Sequence, residues 1–407
     1  MYAGYGQWEV TPPMGVELAG YGYYLGRCAL SVRDPLYARA VLLKEGNERI
    51  LIISCDLLGL SKAVCAEVFC HAERLGIPSS HVIIVSIHTH TGPCIKYHEG
   101  CGYTNDAYVS TVGGMICKAV DEAYADLTPV TALEQAFHPF EGDHIYNRTI
   151  PNGPVDRFVR GFTLTRDGKE PICMINAACH GVFRGRVTAV SADFAGEVNR
   201  LMTEKGYKSI YLNGLCGDID PWKPSDERLN EFAQIVVHAF TAEKNSLPLT
   251  MEAGELPFTL RLTSVTEEEI RGAAKHAVET AGGPEMPAAR VALTWEKEML
   301  AKLADLRETE DLTCKYVILG GVPVLAVPFE GFTQIGQEVR DALGRPDGVM
   351  LGCGEELLGY LPTRDDIARG TYAALESTFL YNRLPVVPGE AERLGQEMGQ
   401  KMKEILS

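Results

Sequence analysis

The segment His88-Thr89-His90-Thr91-Gly92-Pro93 is the sharpest place in this 407-residue chain where residue type and spacing suggest chemistry. It follows the β-branched run Val82-Ile83-Ile84-Val85-Ser86-Ile87. Residues two apart on a strand point to the same side, so both imidazoles would face one cavity. That cavity would lie at the strand's C-terminal end, where open α/β sheets bind ligands. Neutral imidazole suits zinc, iron and nickel. The plainer alternative is a pair of histidines capping loop carbonyls, and the spacing alone leaves it open. His180 closes a second apolar run, Ile172 to Cys179. A lone histidine there is usually a hydrogen-bonding group, but a third imidazole would complete a catalytic zinc set. Glu330 closes a third run, Val324-Leu325-Ala326-Val327-Pro328-Phe329. A carboxylate in that position is costly to bury unpaired and needs an arginine or a metal.

Weaker signals lie in turns. Leu212 to Pro221 contains Gly214, Gly217, Asp218 and Asp220, and its glycines would let backbone approach a ligand closely. Asp193 could be only a helix N-cap. Tyr360 and Tyr372 do not stand out among 17 tyrosines. His71, His238 and His276 fall within helical patterns and read as surface or packing residues.

These segments need strands to carry them. Residues 37–44 and 49–54 read as two strands joined by Glu45-Gly46-Asn47. Residues 61–75 and 106–127 read as helices, closed by Gly76-Pro78 and by Pro129. Asp167-Gly168 and Gly320-Gly321 sit between apolar runs as hairpin turns. Strand–helix alternation with intruding hairpins predicts an α/β fold: a mixed β-sheet core flanked by helices, as a single domain over 1–407. Residues 264–310, rich in Ala, Glu and Lys, read as a helical insertion opened by a capping box at Ser264-Val265-Thr266-Glu267. Residues 390–406 read as a polar amphipathic C-terminal helix.

Composition narrows the function classes. The chain is 46% hydrophobic, enough for a large core, and carries 38 Lys and Arg against 54 Asp and Glu, a net charge of −16. Such a surface disfavours nucleic acid and anionic lipid as partners. No apolar run approaches the roughly 20 residues of a membrane helix. The first residues have no basic start and no apolar stretch, so no signal peptide is expected. The 12 cysteines show no metal-knuckle spacing and read as reduced thiols in a cytoplasmic protein. Asn147-Arg148-Thr149 fits a glycosylation sequon and reads as coincidence. A small-molecule substrate is the expected partner, with self-association left as an option.

Taken in order, the motifs resemble the neutral/alkaline ceramidase family, zinc amidases that cleave the N-acyl bond of ceramide. His88 to Pro93 is similar to that family's His-Thr-His-Ser-Gly-Pro signature, the most specific match. Gly4 to Pro12 with Ala19-Gly20-Tyr21 resembles its N-terminal strand and loop, and Cys55-Asp56-Leu57 its strand-end Asp-Leu. Further likenesses are Tyr146-Asn147-Arg148, His180-Gly181, Ser191-Ala192-Asp193, Cys216 to Pro221, Val327 to Thr333, Gly359 to Thr363, and Tyr372. They cover most of residues 1–380.

The resemblance implies a ceramidase-like catalytic fold and one zinc ion held by His88, His180, Glu330 and Tyr360. It implies that His90 is the general base and then acid, and that Arg148 and Tyr372 stabilise the developing oxyanion. His90 would then stand beside the ion instead of binding it. Departures exist. Phe194 replaces an Asn, and Asp220-Pro221 stands where the family has Ser-Pro. The sequence ends shortly after the matched segments, so no C-terminal immunoglobulin-like domain is expected. With its acidic composition, the chain is expected to hydrolyse an amide of a small soluble substrate. A deep apolar slot would instead point to lipid amides. Two alternatives remain: another metal-dependent reaction on the same scaffold (ester or lactone hydrolysis, a lyase or an isomerase step), or a (β/α)8 amidohydrolase opened by the His-x-His pair. A binding protein with a vestigial site would need a broken ligand set.

Overall fold

The strands with the longest apolar runs are buried on both faces, and this dictates the layering. In the computed structural model, which describes all residues from Met1 to Ser407, successive residues of Tyr37–Glu45 alternate between two cores. Ala38, Ala40 and Leu42 pack into one, Val41 and Leu43 into another. Leu51 and Ile53 against Ile50 and Ile52, and Val82 and Ile84 against Ile83 and Val85, repeat the division. This is the period-2 geometry of a strand, with no face left for solvent.

The larger sheet has nine strands. In spatial order they are Lys208–Asn213, Lys169–Ala177, Phe158–Arg166, Thr128–Pro139, Tyr2–Glu9, Tyr37–Glu45, Glu48–Cys55 and Val82–Ser86, with Asn245–Leu247 paired to Thr128–Pro139. The pairings at the two ends are parallel and those between are antiparallel. A second sheet, Met251–Arg261, Thr309–Leu319, Val322–Ala326 and Val349–Leu351, shares its inner core with the first through Val317, Leu319, Val322 and Val324. Helices Lys62–Arg74, Asp106–Ala125, Asp193–Glu204 and Asp226–Thr241 cover the outer face of the large sheet. Helices Thr333–Leu343 and Glu390–Leu406 cover the outer face of the small one. The fold is thus mixed α/β with flanking helices, as the sequence predicts, but it stacks two sheets in helix–sheet–sheet–helix layers where a single mixed sheet core is expected. The antiparallel pairs exclude the (β/α)8 alternative.

The large sheet curls until its ends approach. Ser54 Oγ donates to the Tyr211 carbonyl at 2.6 Å, and Asn213 Nδ2 donates to the Ile87 carbonyl at 3.0 Å. The strand carrying His88 therefore meets the neighbourhood of the strand carrying His180.

Several local expectations are corrected. Pro129 does not merely close a helix; it is the second residue of Thr128–Pro139. The first strand pairs with that strand only at Tyr2 and Ala3, so the missing N–H falls at a short end of pairing where proline is tolerated. The capping box is two residues later than expected, between Thr266 and Glu269. Within residues 264–310 the helices are Glu267–Ala281 and Pro287–Ala301, and the strand from Thr309 already begins there. Both predicted hairpins form. The twelve cysteines are unpaired. Asn147 is buried and bonds Asp218 and the Pro154 carbonyl, so its sequon is out of reach of modification. No helix is long and apolar enough to cross a membrane.

Candidate metal centre

Each histidine sits on the loop immediately after its strand, and the two loops are joined. Thr89 pairs with Gly181 in a parallel bridge. A Cβ on Gly181 would lie 2.9 Å from the His88 carbonyl oxygen and from Thr89 Cα, so only glycine admits the approach. His88 takes a left-handed backbone (φ 62°), a strained conformation of the kind stored at functional sites. Its Nδ1 bonds the Leu58 carbonyl at 2.8 Å, and His180 Nδ1 bonds the Ile219 carbonyl at 3.1 Å. Both rings therefore donate through Nδ1 and turn Nε2 inward.

Glu330 completes the cluster from a segment that follows the smaller sheet. It pairs in a short parallel bridge with Tyr360 (Glu330–Gly331 against Tyr360–Leu361), which sets the carboxylate beside the phenol. Glu330 Oε2 lies 3.1 Å from His88 Nε2 and 3.1 Å from His180 Nε2. Donors bound tetrahedrally to zinc at the usual bond lengths stand about 3.3 Å apart, so these two separations and the donor types fit that ion. Glu330 Oε1 accepts from Tyr381 Oη at 2.6 Å. Arg148 donates to Tyr360 Oη at 2.9 Å and to the Gly217 carbonyl, and lies 3.4 Å from Asp220 Oδ1.

The charges are strongly coupled. Burial works against protonating His88, but the Glu330 carboxylate outweighs it and lifts the imidazole to about 9. Burial likewise works against an ionised Glu330, but His88 and His180 hold it well below the ordinary carboxylate range. A divalent cation would displace the His88 proton. Burial, then His88 and His180, push His90 well below its ordinary value, so it is neutral. Both His90 ring nitrogens are buried without a partner. Gly20, at φ 80°, lets the ring fit; a Cβ there would come 2.4 Å from Nδ1. Donor nitrogens of His88, His90 and His180 lie within 4.8 Å of one another, a group that could hold a metal.

All seven residues singled out in the sequence come to one site. His88, His90, Glu330, Tyr360 and Tyr372 line one pocket of about 80 Å³. His180 and Arg148 contact that set through Glu330 and Tyr360. The Tyr372 ring lies 6.0 Å from that of Tyr360. Much of the remaining lining is apolar: Leu58, Leu60, Ile95, Leu357 and Leu380. Lys96 is the lysine of the lining and is paired with Glu356 at 2.7 Å. Tyr381 is a site residue the sequence did not reveal. It follows a five-residue helix, Glu376–Leu380, and no strand end marks it.

No protein-family model matches the chain, and no curated protein does. Solved structures do. The neutral ceramidase from Pseudomonas aeruginosa superposes with a TM-score of 0.74 over 99% of this chain and 74% of that one, at 16% identity. The chain has the neutral ceramidase fold. A ceramidase complexed with C2 superposes with a TM-score of 0.73 at 14% identity, over 99% of this chain and 75% of that one. At such identity the likeness establishes the ceramidase fold, and the site residues have to be argued from their own geometry.

Proposed function

We propose that this ceramidase-fold protein is a zinc-dependent amidohydrolase. The observation that carries the reading is the convergence of two Nε2 atoms, each set by an Nδ1–carbonyl bond, on one oxygen of Glu330. His88, His180, Glu330 and Tyr360 would hold one ion. A bound zinc would supply Lewis-acid polarisation of an acyl oxygen and acidify water.

The chain's own groups supply the rest. His90, neutral and unpartnered, takes a proton from the attacking water and delivers it to the nitrogen as the C–N bond breaks. Water's oxygen ends on the acyl carbon, and the amine leaves protonated. Arg148 is anchored by the Gly217 carbonyl beside Tyr360, and with Tyr372 it stabilises the charge that grows on the acyl oxygen. The pocket is small and its walls mostly apolar, neither a long lipid slot nor a polar cup. That shape suits a short apolar acyl group. Twelve unpaired thiols suit a cytoplasmic setting.

A second ligand set, with His90 in place of Tyr360, is favoured by the proximity of the three histidines. Metal analysis of purified variants separates the two. His88→Ala should abolish metal loading, whereas His90→Ala should keep the metal and lose turnover of short N-acyl amides. A His90→Ala protein without metal would move His90 into the ligand set. Wild-type protein with neither stoichiometric metal nor amidase activity would sink the proposal.

A further inference from the structure

One wall of the pocket is Tyr21, and two cations that stand outside the lining lie against its ring. Tyr21 lines the pocket, its ring 4.9 Å edge-on from that of His90. Its backbone is left-handed (φ 57°), and its hydroxyl is buried without a partner. Two guanidinium groups lie over its ring, Arg27 at 5.0 Å and Arg186 at 5.5 Å. Neither has a carboxylate.

Arg27 is only 3% exposed. It donates to the carbonyls of Ala19, His90 (2.7 Å) and Val187 (3.1 Å), and its Nε has no partner. Burial lowers it to about 10, and the groups that act on it are Tyr21, Tyr24 and Arg186, none of them a carboxylate. A buried guanidinium without a counter-ion is costly. In a chain with 54 acidic residues against 38 basic ones, its isolation needs a reason.

Arg186 is exposed on the loop that follows His180. It makes no hydrogen bond or ion pair with the chain, and is held between Tyr21 and Tyr24, whose ring lies 5.0 Å away. Tyrosine faces on both sides restrict the guanidinium without using its donors. The other cations nearby are neutralised: Arg148 by Asp220, Arg184 by Asp34, Lys96 by Glu356. Asp193, a buried carboxylate whose charge acts on Tyr21, accepts the backbone N–H groups of Phe183, Arg184 and Phe194.

We propose that Arg186, pinned on Tyr21 and backed by Arg27, is an anion subsite that receives a carboxylate on the amine half of the substrate. The substrates would then be N-acyl amino acids with a short acyl chain, the leucine-lined part of the pocket taking the acyl group. The inference rests on the amidohydrolase reading for its account of which bond is broken. The subsite itself rests on the two uncompensated arginines.

The test separates the two claims by using ligands that cannot be hydrolysed. N-Butylsulfonylglycine and its glycinamide counterpart are titrated into the metal-loaded protein by calorimetry. The carboxylate form should bind about ten- to hundredfold more tightly, as expected of a charge-assisted bond. The gap should narrow with salt, nearly vanish in Arg186→Ala and return in part in Arg186→Lys. Equal binding of the two probes, binding of neither up to about 10 mM, or a gap that survives Arg186→Ala would overturn the subsite. Absence of all amide hydrolysis would refute the functional reading instead and leave the binding result standing.

Discussion

Tyr381→Phe isolates a single contact of the proposed ligand set. The Tyr381 hydroxyl donates to Glu330 Oε1 at 2.6 Å, while the other carboxylate oxygen faces the two histidines. Burial, then the Glu330 charge, push that hydroxyl well above its ordinary value, so it stays protonated and remains a donor. Its ring is confined by Gly359, where a Cβ would come within 2.7 Å, and packs on the cluster of Cys216, Cys353 and Leu357. Phenylalanine keeps that packing and removes only the hydrogen bond. A bond to a buried charged acceptor contributes about 1.5–3 kcal/mol. Lost from the group that orients a metal ligand, this corresponds to about ten- to hundredfold weaker zinc binding. The assay is competition for zinc against a chromophoric chelator at neutral pH, with melting curves of metal-free wild type and variant as the control for folding. Zinc affinity equal to wild type, with equal metal-free melting, would refute the argument that Oε1 needs this donor.

The metal-free protein should depend on pH in a defined sense. His88 is raised from 6.5 to about 9, so its contribution is complete below 6.5 and fades as pH rises through about 9, by up to roughly 3 kcal/mol. Glu330 acts oppositely: its folded value is depressed, and its contribution fades as pH falls through that value. Zinc loading should flatten the alkaline limb, and a metal-free melting temperature constant between pH 6.5 and 9 would contradict this. Asp56→Ala should cost about 3–5 kcal/mol in denaturant melts, because it strips Arg39 of its bidentate partner where both are buried and also frees the Tyr37 N–H. Gly20→Ala should lower turnover far more than metal content, because the added Cβ strikes the His90 ring and not the atoms around Glu330. An unchanged kcat would count against His90 as the base.

The sequence marks the centre where an apolar run ends abruptly in a polar residue. His88, His180 and Glu330 are each such an ending. Tyr360, Arg148 and Tyr372 carry no such mark; they are visible only through likeness to a known set of motifs. Tyr381 and the two arginines beside Tyr21 were hidden altogether, and Tyr21 stood out only as part of a matched loop with no role attached, since these roles depend on which loops meet when the large sheet curls. The strand Thr128–Pro139 was hidden for a related reason. Pro129 reads locally as a stop, and only the pairing with Tyr2 shows that the chain continues extended. Both hairpins at Asp167-Gly168 and Gly320-Gly321 were legible because their turn chemistry is local.

His88 and His180 hang from the larger sheet, whereas Glu330 and Tyr360 belong to segments that follow the smaller one. An ion gripped by all four would add a fastening between two layers already joined by greasy side chains and a few polar contacts, such as Asn176 on the Met350 carbonyl and Gln135 on Asp347. The reactive centre would double as a clasp. Stripping the ion should then speed amide-proton exchange in Val322–Ala326 and Val82–Ser86 together, well away from any substrate.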